Sequence, residues 1–493
     1  MKRSSGILLA IYSLPSPYGI GTLGHEAYRF VDFLVSAGQS YWQVLPVGPT
    51  GYGDSPYLSF STFGGNPYFI DLGMLMEDGL LRANEVRDVF WGQDPSEVDY
   101  GLIYENRWDV LKKAFHRGYD EHDTDLKKFV ADQEGWLHEY ALYMAIKQHF
   151  GMKSWQEWPD DKIRRGEDGA KIKYASLLRE QINFHIYLQF LFFTQWDRLR
   201  KYANMKGVGI IGDLPYYVPL DSADVWGKPH LFNLNENRIP VSVGGVPPDD
   251  FSESGQLWGN PLYDWGAMKE DGYNWWWHRM RAMSYFFDGI RIDHFRGIES
   301  YWEIPWGSLT AVEGQWKTGP GMELIRILQQ AGDGLLLIAE DLGFLTPPAR
   351  KLQKDSGFPC MKILQFAFDG RPDNEYLPHN YERNCVAYTG THDNDTILGW
   401  WNGLSPGEKK SVIGYFGISD EKQANWEIIR GGMGSVANLF IAQMQDYLKL
   451  GSDARMNVPG TGQGNWKWRL VPSQLNQDIA EKIREYTWIY GRL

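Results

Sequence analysis

The chain reads as an α/β protein, a single (β/α)8 TIM-type barrel over residues 1–493 with large, mostly helical insertions between strands. Two observations predict it. Apolar runs of strand length recur along the chain, separated mostly by segments of helical spacing, which gives eight strand candidates. The acids Asp213, Asp293, Glu340 and Asp393 each follow one of those runs, and the C-terminal ends of parallel strands are where barrel enzymes keep their chemistry. A G-x-G-x-x-G spacing does follow the first run, at Gly19-Ile-Gly-Thr-Leu-Gly24, but a lone motif of this kind is a weak signal, and eight strand candidates favour the barrel over an open, doubly wound dinucleotide-binding sheet.

Residues 6–11 form the first apolar run and lead into the turn Tyr12-Ser13-Leu14-Pro15. Residues 26–37 place Tyr28, Phe30, Val31 and Leu34 on one side of a helix. The second strand, 41–47, opens into Gly48-Pro-Thr-Gly-Tyr-Gly-Asp-Ser-Pro-Tyr57, too rich in Gly and Pro to be regular. Long ordered loops of this kind carry function, and Tyr52 and Tyr57 argue for that here.

Residues 75–183 show no strong strand and read as amphipathic helices such as 136–150, which predicts a helical insertion subdomain after strand 2. A helix over 184–204 leads to a buried strand ending on Asp213. The stretch 221–262, full of Gly, Pro, Asn and Asp, predicts an extended loop insertion after strand 3 that covers a cleft.

A helix at 275–285 precedes Phe287-Asp-Gly-Ile-Arg-Ile-Asp-His-Phe-Arg296, the stretch around which the chain is organised. Side chains alternate along a strand, so Gly289, Arg291 and Asp293 share one face while Ile290 and Ile292 share the other. After it come a helix near 322–330, a strand at 335–339 ending in Glu340-Asp341, and a helix with Thr346 as N-cap and Pro347 at its first position. Strands follow at 361–367 and at 386–389, the second running into Gly390-Thr-His-Asp393. A helix over 435–448 and a last strand at 453–456 complete the count.

Composition narrows the partners. A formal charge of −13 argues against nucleic acid or an anionic membrane, both of which want a concentrated positive surface. Only Cys360 and Cys385 are present, and the start Met-Lys-Arg-Ser-Ser-Gly lacks the apolar core of a signal peptide, so a reducing, cytoplasmic setting is expected. The greasiest stretch, 184–196, is interrupted by Gln189 and Gln195 and falls short of a membrane span. With 22 Trp, 28 Tyr and 24 Phe, the chain is rich in flat rings that offer an apolar face to a sugar.

Converging acids serve to bind a metal, hold a sugar, or run acid–base catalysis. Metal is the weaker reading, because there is no H-E-x-x-H or D-x-D-x-D-G loop and Arg291 competes with a cation beside Asp293. Glycosyl chemistry asks for one ionised and one protonated carboxyl flanking the bond. Arg291 on the same strand face favours the charged form of Asp293, and a neighbouring anion favours the protonated form of Glu340. Spacing leaves open whether Glu340 or Asp341, and Asp393 or Asp395, faces inward. An Arg291–Asp293 ion pair of purely structural purpose is the bland alternative.

At these residues the chain resembles the amylomaltases, the 4-α-glucanotransferases also called disproportionating enzymes, nearly end to end. Besides the loop at 48–57, the shared stretches are Gly212-Asp-Leu-Pro215, Gly245-Val-Pro-Pro-Asp249, Trp258-Gly-Asn-Pro-Leu-Tyr263, Arg291-Ile-Asp-His-Phe-Arg-Gly297, Ala339-Glu-Asp-Leu-Gly343, Tyr388-Thr-Gly-Thr-His-Asp-Asn-Asp-Thr396 and Ala454-Arg-Met-Asn457. The resemblance implies Asp293 as nucleophile, Glu340 as general acid then base, and Asp393 as the third carboxylate. It implies Asp213, Arg291, His294, Asp341 and His392 as ligands of the transferred sugar, with Tyr57, Trp258, Phe366 and Asn465 along the glucan. It further implies no metal, no cofactor and no C-terminal β-sandwich domain. The expected reaction is retaining transfer of α-1,4-glucan segments from maltooligosaccharides or longer chains to the 4-hydroxyl of a glucan or of glucose, with an α-amylase-like hydrolase as the alternative. The loops at 52–57 and 244–260 are expected to hold off water.

Overall fold

The computed structural model describes every residue except Met1, Tyr52, 249–251 and Phe344. Its strands are β1 (Ser4–Leu8), β2 (Tyr41–Gln43), β3 (Gly209–Leu214), β4 (Ser242–Val246), β5 (Gln256–Pro261), β6 (Gly289–Ile292), β7 (Ser300–Pro305), β8 (Gln315–Thr318), β9 (Leu336–Ala339), β10 (Cys360–Ile363), β11 (Cys385–Tyr388) and β12 (Leu439–Gln443). Eight of them close into a barrel in the order β1, β2, β3, β6, β9, β10, β11, β12, with β12 returning to β1. Every pairing in it is parallel. Helices cover the outer face, so both sides of the sheet are dry and its strands run almost continuously apolar.

The last barrel strand departs from expectation. It is β12, inside the stretch 435–448 read as a helix, whereas 453–456 forms no strand and carries the 3-10 turn Ser452–Ala454. All five residues of β12 are buried, and a short run buried on both faces lacks the period of two that separates a strand from a buried helix segment.

Residues 221–262 depart in the same way. They contribute β4 and β5, which join β7 and β8 in an antiparallel sheet of order β5-β4-β7-β8 outside the barrel. The glycines that suggested a loop are there because backbones pass closely: a Cβ on Gly245 would lie 2.2 Å from the Gln256 carbonyl oxygen. Trp302 and Trp316, directly opposite on β7 and β8, meet edge to face at 5.1 Å.

Between β2 and β3 run the helices Tyr100–Gly118, Asp123–Asp132, Leu137–His149 and Asp168–Leu177, then the long helix Arg179–Met205 that packs on the barrel. Trp196 in that helix is fully buried and donates its Nε1–H to the Phe286 carbonyl, while Arg200 pairs with Asp288 at 2.9 Å. These contacts fix the entry to β6. Thr346 caps the helix Pro347–Ser356 by accepting the Ala349 N–H, as its sequence predicts.

Candidate active site

Strand register assembles the centre of the site. Asp213 on β3 lies directly opposite Arg291 on β6, and Ile292 lies opposite Ala339 on β9, so Asp293 and Glu340 leave neighbouring strands side by side. Arg291 Nη1 donates to both Asp213 oxygens, at 2.9 and 2.8 Å, and to Asp293 Oδ1 at 3.0 Å. Its Nη2 lies 4.0 Å from Glu340 Oε2. One buried guanidinium thus gathers three carboxylates, and its position at the end of β6 is the reason they converge.

The chain turns sharply after Asp293. His294 adopts φ 46° and ψ 47°, a left-handed conformation uncommon for a residue with a Cβ. The turn aims the His294 N–H at Glu340 Oε2, 2.6 Å away, and the Leu342 N–H reaches Glu340 Oε1 at 3.1 Å. Burial pushes Glu340 up to about 8, with the Asp293 charge adding to this and Arg291 and the two N–H groups opposing it. Asp213 is raised as well, by burial, against the pull of Arg291. Asp293 keeps 29% of its side chain exposed, whereas Glu340 keeps 13%.

Asp393 stands on the loop beyond β11. His392 Nε2 lies 3.3 Å from its Oδ1, and Asn457 Nδ2 donates to the same oxygen at 2.7 Å. Partial burial raises its pKa, but His392, Asn457 and Arg291 together hold it well below the usual carboxylate range. Tyr57 joins the two halves: its hydroxyl donates to Asp213 Oδ2 at 2.7 Å, lies 3.2 Å from His392 Nδ1, and its ring stacks on His392 at 4.8 Å.

The two open choices resolve geometrically. Glu340 faces Arg291, whereas Asp341 accepts the Met361 N–H on β10 at 2.8 Å and is pushed up to about 6 by burial. Asp393 faces His392 and Asn457, whereas Asp395 accepts from the Ser452 hydroxyl at 2.7 Å.

The pattern of the 4-alpha-glucanotransferase family matches residues 9–474. A 4-alpha-glucanotransferase of Clostridium butyricum is 48% identical, covering 98% of this chain and 99% of its own length. The chain belongs to the 4-alpha-glucanotransferase family. The corresponding enzyme of Thermus thermophilus is 47% identical over 98% of both chains. The solved amylomaltase of Streptococcus agalactiae in complex with acarbose superposes with a TM-score of 0.97 at 42% identity, covering all of both chains.

The remaining residues implied by this kinship fall into two groups. Trp258, half-buried on β5, stands perpendicular to His294 at 4.9 Å, and burial lowers the His294 imidazole to about 4. The antiparallel sheet thereby delivers a ring to His294, the residue after Asp293. Phe366 lies in the 3-10 turn after β10, edge-on to Tyr376 at 5.5 Å. Asn465 spends its side chain on its own loop, accepting the Val458 N–H and donating to Thr461. Tyr52 and Asp249, within the loops singled out above, lie outside the described residues. Among the described residues no helix is long and apolar enough to cross a membrane.

Sequence reasoning gave no role to Trp466, which sits at φ 62° with its ring 5.8 Å from His392 and 6.1 Å from Tyr57. It also gave none to Arg455 and Asn457, although their stretch was among those shared with the family. Both lie far along the chain from the loop they touch, and no local pattern announces the contact.

Proposed function

We propose that Asp293 is the nucleophile, Glu340 the acid and then the base, and Asp393 the third carboxylate, which grips sugar hydroxyls, of this 4-alpha-glucanotransferase. The observation that carries the assignment is the shared guanidinium: Arg291 holds Asp293 at 3.0 Å and stands 4.0 Å from a Glu340 that burial lifts to about 8. A charged carboxylate and a protonated one then flank a single bond, as retaining glycosyl transfer requires. Glu340 gives its proton to the glycosidic oxygen as Asp293 attacks the anomeric carbon, forming a β-linked glycosyl ester. The 4-hydroxyl of an acceptor glucan, or of glucose, displaces Asp293 and gives its proton to Glu340, which restores the α-1,4 linkage.

Asp213, Arg291, His294 and His392 surround the same point and supply polar contacts to the transferred sugar, with Tyr57 and Trp258 flanking it. Asp341, anchored through one oxygen by the Met361 N–H, is a further ligand of the transferred sugar, and Phe366 and Asn465 belong to the outer glucan track. Incubation with maltotriose tests the reading: disproportionation gives glucose and longer oligomers without a net rise in reducing ends, and a steady rise would instead mark a hydrolase.

A further inference from the structure

We propose that Arg455 and Asn457 form a clamp that positions Asp393, with Asn457 a positioning residue for transfer. The inference rests on the reading of Asp393 given above.

Asp293 and Glu340 leave strand ends directly, but Asp393 lies out on a loop with 46% of its side chain exposed. Such a loop leaves a carboxylate free to rotate unless something holds it. Three sets of contacts do. Beneath the loop, the buried Asp446 accepts the Thr389 hydroxyl at 2.5 Å and the Ile397 N–H at 2.7 Å, pinning both ends. In the middle, Gln365 Nε2 donates to the Asp395 carbonyl at 2.7 Å. At the side, Arg455 Nη2 donates to the Asp393 carbonyl at 2.5 Å and its Nε to the Asn457 carbonyl at 2.7 Å, while Asn457 Nδ2 donates to Asp393 Oδ1 at 2.7 Å.

One guanidinium therefore ties the backbone of the residue being placed to the backbone of the residue placing it, and the amide sets the carboxylate. A planar fork holds two carbonyls in a fixed geometry, with its donors pre-organised, whereas an ammonium on a flexible stem fixes them less well. After the turn at Ser452–Ala454 the chain does not enter the sheet, whose last place β12 already fills, and instead brings Arg455 and Asn457 to the Asp393 loop. The groups around the Asp393 carboxylate are His392, Arg291, Tyr57 and Asn457, and Asn457 is the neutral donor bonded directly to it.

The test measures kcat, KM and pH profiles of maltotriose disproportionation for the wild type, Asn457→Ala, Asn457→Asp and Asp393→Ala, with thermal melts of each. Loss of a hydrogen bond to a charged group predicts a fall of about ten- to hundredfold in kcat/KM for Asn457→Ala. The loss falls mainly on kcat, because His392 and Arg291 still keep Asp393 ionised and only its orientation is released. Asn457→Asp preserves shape and replaces the donor by an acid, so its activity relative to wild type falls as pH rises and the new carboxyl ionises beside Asp393; it carries the test if the alanine variant does not fold. An Asn457→Ala enzyme within about twofold of wild type overturns the proposal, as does an Asn457→Asp profile parallel to wild type. Full activity in Asp393→Ala would instead remove the reading of Asp393 itself; an inactive Asp393→Ala beside normal Asn457 variants removes only the clamp.

Discussion

The two sides of the cleft place their carboxylates by different means. On the β3–β6–β9 side, register alone sets Asp213, Asp293 and Glu340 around Arg291, and burial makes Glu340 harder to ionise. On the β11–β12 side, Asp393 is carried by a loop, half-exposed, and kept anionic by His392 and Asn457. The barrel supplies a protonated acid where the walls are dry and a standing charge where they are open. Precision comes from strand hydrogen bonds in one case and from side chains borrowed across the barrel mouth in the other.

Four substitutions test this contrast. Asp293→Ala removes the group that forms the ester and is expected to cut transfer by about 10⁴-fold or more, with an unchanged thermal melt. A variant retaining wild-type turnover would remove Asp293 from the mechanism. Glu340→Gln is expected to lose about 10²–10⁴-fold on maltooligosaccharides but far less on a glycosyl fluoride, whose leaving group needs no proton. The wild-type acid form is required and its pKa is raised to about 8, so kcat/KM should fall as pH rises through that value. The glutamine variant should lose that alkaline limb, and a limb unmoved by the substitution would assign it to another group.

Arg291→Met probes the register-built side through stability. It leaves Asp213, with 0% of its side chain exposed, without its partner, and breaking a buried pair this way costs about 3–5 kcal/mol. Urea unfolding that shows no loss would mean Asp213 is neutral in the folded protein. Asn465→Ala should have the smallest effect. Its side chain orders only the turn from Val458 to Thr461, so KM for long glucans rises by a few-fold, on the scale of one lost neutral hydrogen bond of about 1 kcal/mol, with kcat unchanged. A large fall in kcat would place Asn465 much nearer the reacting bond.

What was legible in the sequence follows this division. The run Gly289–Ile292 with Asp293 behind it was readable, because alternation fixes which side chains share a face, although alternation does not separate a catalytic acid from a structural ion pair with Arg291. The N-cap at Thr346 was readable for the same local reason. β12 was not, since a strand buried on both faces carries no alternation, and β4 was hidden by glycines whose purpose is a close approach to β5. Among the acids, spacing left Glu340 and Asp341 equivalent; only the Met361 N–H and the Arg291 guanidinium separate them.

By itself, then, the sequence determined the alternation of strands and helices, the acids that follow strand runs and the net negative charge, because each depends on composition or on neighbours within a few residues. The tertiary structure decided which acid is buried and protonated, which stays charged, and which distant residues hold the loop of Asp393. Those outcomes are set by desolvation and by partners hundreds of ångströms of contour away, and neither exists until the barrel has closed.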